Sequence, residues 1–137
     1  MIKQVIVMRK DLKKKGMNTG KAVAQGGHAV MKFLAHKIRD VQDNRVTTMA
    51  GEHFPVFLTQ AEENWILGKF TKICLAVNSE EELLEIHQKA LDAGLTSCLV
   101  TDNGQTVFKG VPTNTCIGIG PDEAEKIDAV TGGLKLY

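Results

Sequence analysis

The chain has 137 residues, 43% apolar and 24% charged, with a net charge of +1. That length fits one domain and buries a core without disulfide staples. No apolar run is long enough to span a bilayer, and the opening residues alternate basic and apolar positions too briefly for a secretory signal, so no membrane association and a cytoplasmic location are expected.

Residues 2–9, IKQVIVMR, read as a buried strand: short, β-branched and ended by charge. A basic loop follows over 10–18, with Gly16 and Asn18 as turn residues. Thr19 is the expected N-cap of a helix running to about Arg39. On it Val23, Gly27, Val30, Leu34 and Ile38 share a face expected to pack on the sheet. Lys21, Gln25, His28, Lys32, His36 and Arg39 form the opposite, polar stripe. Residues 40–68 read as an irregular excursion with a helical turn near 61–67. A second strand is expected over 69–77 and a helix from Ser79, where the run of three acids suits a helix N-terminus, to a stop at Gly94. Thr96 to Thr101 is the third strand, 102–114 a loop, Asn114 to Gly120 the fourth strand, and Pro121 opens a last helix reaching Val130. The tail LKLY is short and apolar, with no assigned role.

The expected order is β-α-β-α-β-β-α. This is an α/β protein, a three-layer α/β/α single domain over 1–137. Its mixed four-stranded sheet has the first three strands parallel, joined by helical crossovers, and the last antiparallel.

Charge is distributed unevenly. Residues 1–39 carry ten Lys and Arg against one acid, or +9, whereas the remainder carries seven against fifteen, or −8. Two readings stand: a polyanionic partner for the N-terminal part, or an acidic half that folds back and neutralises it. Cys74, Cys98 and Cys116 each lie in an apolar run with no CxxC spacing and no His cluster, which reads as reduced buried thiols and gives no metal site.

In open α/β sheets ligands gather at the carboxyl ends of parallel strands. Two segments fall there: Arg9 to Lys21, and the loop opened by Asp102. Lys21 lies in a first helical turn beside exposed backbone N–H groups, a place suited to an anion. Asp102 precedes Asn103-Gly104, and Thr106 follows four residues later. A lysine, an aspartate and a threonine brought together could orient a water and stabilise an ester's developing oxyanion. Each also has a plainer reading: a solvated lysine, and an aspartate that simply forms a turn. Gln25 and His28 could face the same site as Lys21, although from spacing alone His28 is a surface or packing residue. Gly118-Ile119-Gly120-Pro121 looks like a phosphate loop, but Asp122 and Glu123 follow it directly, so it reads as a tight strand-to-helix turn. There is no GxSxG and no Cys with an evident His partner.

Taken in order, several stretches resemble the type 2 peptidyl-tRNA hydrolases. They are Lys3 to Arg9 with Asp11-Leu12-Lys13; Met17-Asn18-Thr19-Gly20-Lys21 with Ala24-Gln25 and His28-Ala29; Asp102-x-Gly104-x-Thr106; and Gly118 to Pro121, Ile127-Asp128, Val130-Thr131-Gly132 and Leu134 to Tyr137. The resemblance covers nearly all the chain outside about 40–64. It implies metal-independent, cofactor-free hydrolysis of the ester joining a peptide to the tRNA 3′ ribose, with Lys21, Asp102 and Thr106 catalytic. Lys21 would stabilise charge while Asp102 and Thr106 orient the attacking water. Arg9, Lys13, Lys14, Lys15, Gly20, Gln25, His28 and Lys32 would contact the substrate, the basic ones through tRNA phosphates largely without sequence readout. A homodimer is implied as well.

The chain departs from that pattern in places. Three extra residues, most simply Lys14-Lys15-Gly16, lengthen the loop before Met17. Asn103 and Gln105 stand where the family usually has Ala and a basic residue, and Gly26 replaces a common small apolar or Cys residue. Val107 to Thr113 lacks the usual Pro-Gly turn. Two alternatives therefore stand beside the hydrolase: a non-catalytic tRNA- or protein-binding relative, and a hydrolase of another acyl ester or amide.

Overall fold

A computed structural model describes residues 1–45 and 48–137. Strand β1 (Ile2–Arg9) is followed by a 3₁₀ helix (Lys10–Lys15), helix α1 (Thr19–Asp43) and helix α2 (Gln60–Leu67). Then come β2 (Lys72–Val77), α3 (Glu80–Asp92), β3 (Ser97–Asp102), β4 (Thr113–Glu123), α4 (Ala124–Thr131) and β5 (Lys135–Leu136). The sheet order is β3-β4-β1-β2-β5.

β1 and β2 are parallel, and β4 is antiparallel to both β1 and β3. β3 therefore runs in the same direction as β1, and the first three strands share one sense. The sheet has five strands, not four. The tail supplies the fifth, pairing Leu136 with Leu75 and Lys135 with Ala76 in antiparallel register. It covers backbone groups of β2 that would otherwise form an open edge, and the Tyr137 N–H donates to the Cys74 carbonyl at 3.1 Å. Two residues are too few for a periodic signal.

Strand alternation sorts the core into two layers. Val5, Val7, Val77, Ile117 and Ile119 meet Leu83, Ile86 and Ala90 of α3 and Ile127 of α4. On the other face Met8, Val100 and Cys116 meet Ala22 and Ala29 of α1. Farther along that face, Phe33 packs on Trp65 of α2 and Cys98 of β3. The α2 helix fits the turn expected near 61–67 and is closed by a capping box between Thr59 and Glu62. Residues 46–47 of that excursion lie outside the described residues.

Several expected boundaries move. Asn18, not Thr19, caps α1, accepting from the Lys21 N–H at 2.9 Å, and the helix runs to Asp43 rather than Arg39. The basic loop contains a six-residue 3₁₀ helix, ended by Gly16 in the left-handed conformation. Pro121 lies inside β4, which continues to Glu123, and α4 begins at Ala124. Gly118-Ile119-Gly120-Pro121 is therefore strand, not a strand-to-helix turn. The Gly120-Pro121 peptide is cis.

The buried face of α1 also differs from the expected one. Ala22, Gln25, Ala29 and Phe33 point inward, while Val23 is 69% exposed. The cause is close approach. A Cβ on Gly118 of β4 would fall 2.2 Å from the Ala29 carbonyl oxygen, so helix backbone presses on strand backbone. Small side chains permit that contact, and the branched Val23 is displaced to the flank.

Candidate active site

The site forms where α1 begins and β3 ends. Leu12 and Met17 are buried and anchor the segment between β1 and α1. Capping by Asn18 then fixes the first turn of α1 and the place of Lys21. Asp102 is the last residue of β3. Its Oδ1 accepts the Gly104 N–H at 2.8 Å, an Asx turn that aims the other carboxylate oxygen at α1. Gly104 has φ +83, and a Cβ there would lie 2.5 Å from the Val111 carbonyl oxygen. That position requires glycine, and the tight crossing presents Thr106 to Lys21.

Lys21 Nζ donates to Asp102 Oδ2 at 2.7 Å and to Thr106 Oγ1 at 2.8 Å. Gln25 Nε2 donates to the same Asp102 oxygen at 3.1 Å. The Lys21 and Asp102 side chains are only 16% and 10% exposed, so water screens their pairing weakly. Burial alone would raise the Asp102 carboxyl. The Lys21 hydrogen bond, the Gly104 N–H, the Lys21 charge and the Gln25 amide together outweigh burial and hold the carboxyl below its ordinary value.

Hydrogen-bonding capacity shows what remains available. A carboxylate offers about four acceptor positions and an ammonium three donors. Among the described residues, Asp102 receives three N–H groups and Lys21 donates to two oxygens. One acceptor position on the carboxylate and one N–H on the ammonium are left for a substrate or a water. Thr106 accepts from Lys21 and retains its own O–H to donate.

Behind this front stands Thr115, fully buried on β4. Its hydroxyl donates to Gln25 Oε1 at 2.5 Å, which fixes the amide with its NH₂ toward Asp102. Sequence reading passed over Thr115, since a threonine in an apolar strand looks like a β-former. No sequence signal marked it, because the partner that gives it a role, Gln25, stood on the expected polar stripe and is buried only in the folded chain. Phe108 was missed too; its ring centroid lies 5.9 Å from Lys21 Nζ.

The other residues expected to meet the substrate are dispersed. Arg9 is buried, its guanidinium committed to Asp11, Glu80 and the Asn114 carbonyl, so it is not brought to the site. Lys13 Nζ sits 4.5 Å from the centroid of the Tyr137 ring. Lys14 is exposed, and Lys15 lines a cavity with Val107 and Phe108. Gly20 is exposed in the first turn of α1. His28, Lys32 and Arg39 line a cleft of about 310 Å³ that reaches Val100 and Thr101 of β3. Lys32 Nζ in that cleft donates to the Leu99 carbonyl at 2.8 Å. Among the described residues no three His, Cys, Asp or Glu are grouped to hold a metal ion, and no helix is long and apolar enough to cross a membrane.

Fold and site together define an open-sheet α/β protein with a Lys-Asp-Thr cluster at the strand ends. The sequence matches the family described as peptidyl-tRNA hydrolase PTH2 over residues 2–137. A peptidyl-tRNA hydrolase of Methanocaldococcus jannaschii is 38% identical over 136 residues, 98% of this chain and 99% of the relative. One of Methanopyrus kandleri is 40% identical over 137 residues, 99% of this chain and 98% of the relative. A probable peptidyl-tRNA hydrolase 2 of Dictyostelium discoideum is 36% identical over 135 residues, 98% of this chain and 54% of the relative. The chain belongs to the PTH2 family of peptidyl-tRNA hydrolases.

Proposed function

We propose that residues 1–137 act as one hydrolase domain that cleaves the ester between peptide and tRNA, releasing both. The observation that carries the reading is the Lys21 ammonium bridging Asp102 and Thr106. Its remaining N–H meets the carbonyl oxygen of the ester and stabilises the negative charge that develops there. The open acceptor position of Asp102 and the Thr106 hydroxyl hold the attacking water. A carboxyl held below its ordinary value is a weak base, so Asp102 orients and polarises that water rather than carrying its proton away early. Gln25 keeps the carboxylate in place.

The tRNA phosphates lie against Lys13, Lys14 and Lys15 and along the cleft of His28, Lys32 and Arg39. The excess of ten bases over one acid in residues 1–39 supports this. Gly20, exposed in the first turn of α1 beside Lys21, contacts the substrate through its backbone. Arg9, committed elsewhere, supports the loop instead of binding phosphate. The enzyme works in the cytoplasm, as a homodimer. Val23 and Met31, exposed apolar residues of α1, support an association surface, and light scattering tests it.

The deciding experiment follows release of labelled peptide from an N-blocked aminoacyl-tRNA. Wild type should release it, and Asp102→Ala should not, while both bind tRNA. Binding without release by wild type would leave a tRNA-binding relative. Release from small acyl esters alone would indicate another ester hydrolase. If the lysine loop binds phosphates, affinity should fall steeply with added salt; a flat response would remove that loop from the interface.

A further inference from the structure

Three lysines in succession, Lys13, Lys14 and Lys15, occupy the last turn of the 3₁₀ helix that precedes α1. With about three residues per turn, such neighbours point in three directions. Their surroundings differ accordingly. Lys15 lines the cavity of Val107 and Phe108, Lys14 is exposed, and Lys13 turns toward Tyr137. The Lys13 Nζ stands 4.5 Å from the centroid of the Tyr137 ring, within range of a cation–π contact. A solvated lysine keeps its rotamer freedom, whereas Lys13 has a platform that fixes where its charge lies.

The platform itself is held from several sides. β5 pairs with β2, and the Tyr137 N–H donates to the Cys74 carbonyl at 3.1 Å. The tail enters both layers of the core. Leu134 packs on the cluster beneath α3 and α4, and Tyr137 packs on the cluster that contains Leu12 and Met17. Both residues of β5 are exposed, so the strand adds little to the core, and what it fixes is Tyr137. Leu12 and Met17 are the buried ends of the segment that carries the lysines, and the Met17 N–H donates to the Leu12 carbonyl at 3.0 Å. Ring and lysine segment therefore share one anchorage. Lys13 and Tyr137 also line the same recess as Asn18 and Thr19, which open α1. Lys13 is thereby held at the mouth of the helix that carries Lys21.

We propose that Tyr137 is a positioning residue for substrate binding: its ring holds the Lys13 ammonium ready for a tRNA phosphate beside the first turn of α1. An ammonium lying on a ring still has N–H groups directed away from it, and these donate to phosphate oxygens. Tyr137 acts through Lys13 and not on the ester. It removes in advance the side-chain motion that Lys13 would otherwise lose on binding. The assignment rests on the reading that the lysine loop meets phosphates, and it distinguishes Lys13, which is preorganised, from the exposed Lys14.

The test measures steady-state release from N-blocked aminoacyl-tRNA by the full chain. Tyr137→Leu keeps an apolar side chain against Leu12 and Met17 and removes the ring face. It should raise KM about fivefold, the factor expected from one exposed cation–π contact, and leave kcat within about twofold. Tyr137→Phe, which keeps the face, should behave as wild type. Lys13→Met should raise KM at least as much, and adding Tyr137→Leu to it should change KM little further, because the two residues share one interaction. Upfield ring-current shifts of the Lys13 ε-methylene protons, present in wild type and Tyr137→Phe and absent in Tyr137→Leu, report the contact directly. Should Tyr137→Leu not fold, Tyr137→Phe with a progressively fluorinated ring keeps the shape and weakens the negative face, and KM should rise with each fluorine. A KM that ignores the ring while Lys13→Met raises it would overturn the positioning role and leave the phosphate reading intact. Loss of Tm and kcat in Tyr137→Leu with no coupling to Lys13 would overturn it as well, since that is what a purely structural ring gives. An unchanged KM in Lys13→Met would remove the phosphate contact and the positioning role together. If wild type releases no peptide, the hydrolase reading falls, and the same comparison is made on tRNA affinity, where equal binding by wild type and Tyr137→Leu would overturn the proposal.

Discussion

Replacing Thr115 with valine removes one hydroxyl from the floor of the site. Thr115 and Gln25 are both buried, at 0% and 2% exposure, and their hydrogen bond is 2.5 Å long. Without it, Gln25 Oε1 is left as a buried acceptor with no donor, a change that costs about 1–3 kcal/mol. For a chain of this length each kcal/mol lowers Tm by roughly 3–5 °C, so a fall of about 6–10 °C is expected near the middle of that range. The effect on chemistry follows from the amide's freedom. The Gln25 side chain no longer has a reason to present its NH₂ to Asp102, and in the flipped orientation two acceptor oxygens face each other. Asp102 then loses one of the groups that hold its carboxyl low. We expect kcat to fall about tenfold, about 1.4 kcal/mol of barrier, and Thr115→Ser, which keeps the hydroxyl, to recover most of it. Thermal unfolding by circular dichroism and single-turnover release of peptide measure the two parts. A valine variant with Tm within about 1 °C of wild type and kcat within about twofold would refute the relay from Thr115 through Gln25 to Asp102.

Other outcomes follow from the same geometry. Asp102→Asn should lower kcat/KM by about 10²–10³ with an unchanged far-ultraviolet spectrum, since it removes a preorganised charge and not the fold. The Asp102 carboxyl is held below the ordinary 3.8, so its stabilisation is full above that value and is lost as pH falls through the lower, folded one. Acid unfolding of wild type should therefore steepen below about pH 4 relative to Asp102→Asn; parallel curves would count against the pairing. Gly104→Ala forces a Cβ to 2.5 Å from the Val111 carbonyl oxygen at positive φ, and should cost about 1–3 kcal/mol and displace Thr106, read as lower Tm and lower kcat. The Cys116 thiol is pushed up to about 12 by burial, and burial raises Cys74 and Cys98 as well. Native protein at pH 8 should thus react slowly with a disulfide reagent, Cys74 first because it alone is not fully buried, and all three thiols should react in denaturant.

What the sequence made legible was local. The 2–9 strand, the Ser79 cap and the Asp102 turn are each set by neighbours a few residues apart, and each stands where its residues indicate. β5 was illegible because two residues have no period, and their strand character comes from pairing with β2. Pro121 misled because proline at a helix start is a common signal, whereas here β4 continues past it to pair Glu123 with Ile2. The cluster of Lys21, Asp102 and Thr106 was reachable by placing strand ends, because β1 and β3 run in one sense. Thr115 was not, because its role depends on which helix residue crosses above it.

The α1 helix ties these points together. Its apolar residues suggested one face, but the large ones are few and Ala and Gly are many, so hydrophobicity alone fixes its rotation poorly. Contact at Ala29 over Gly118 fixes it instead. With that rotation, Gln25 must enter the core, and burying its amide requires a donor and an acceptor on the sheet side. Thr115 supplies the donor and Asp102 the acceptor. Lys21, one turn earlier on the same side of the helix, then necessarily reaches the same carboxylate. A glycine on β4 that admits the helix backbone is in this sense a determinant of the site. Gly118→Ala should rotate or lift α1, breaking the Gln25 and Lys21 contacts to Asp102 together even though Gly118 touches none of the three polar groups.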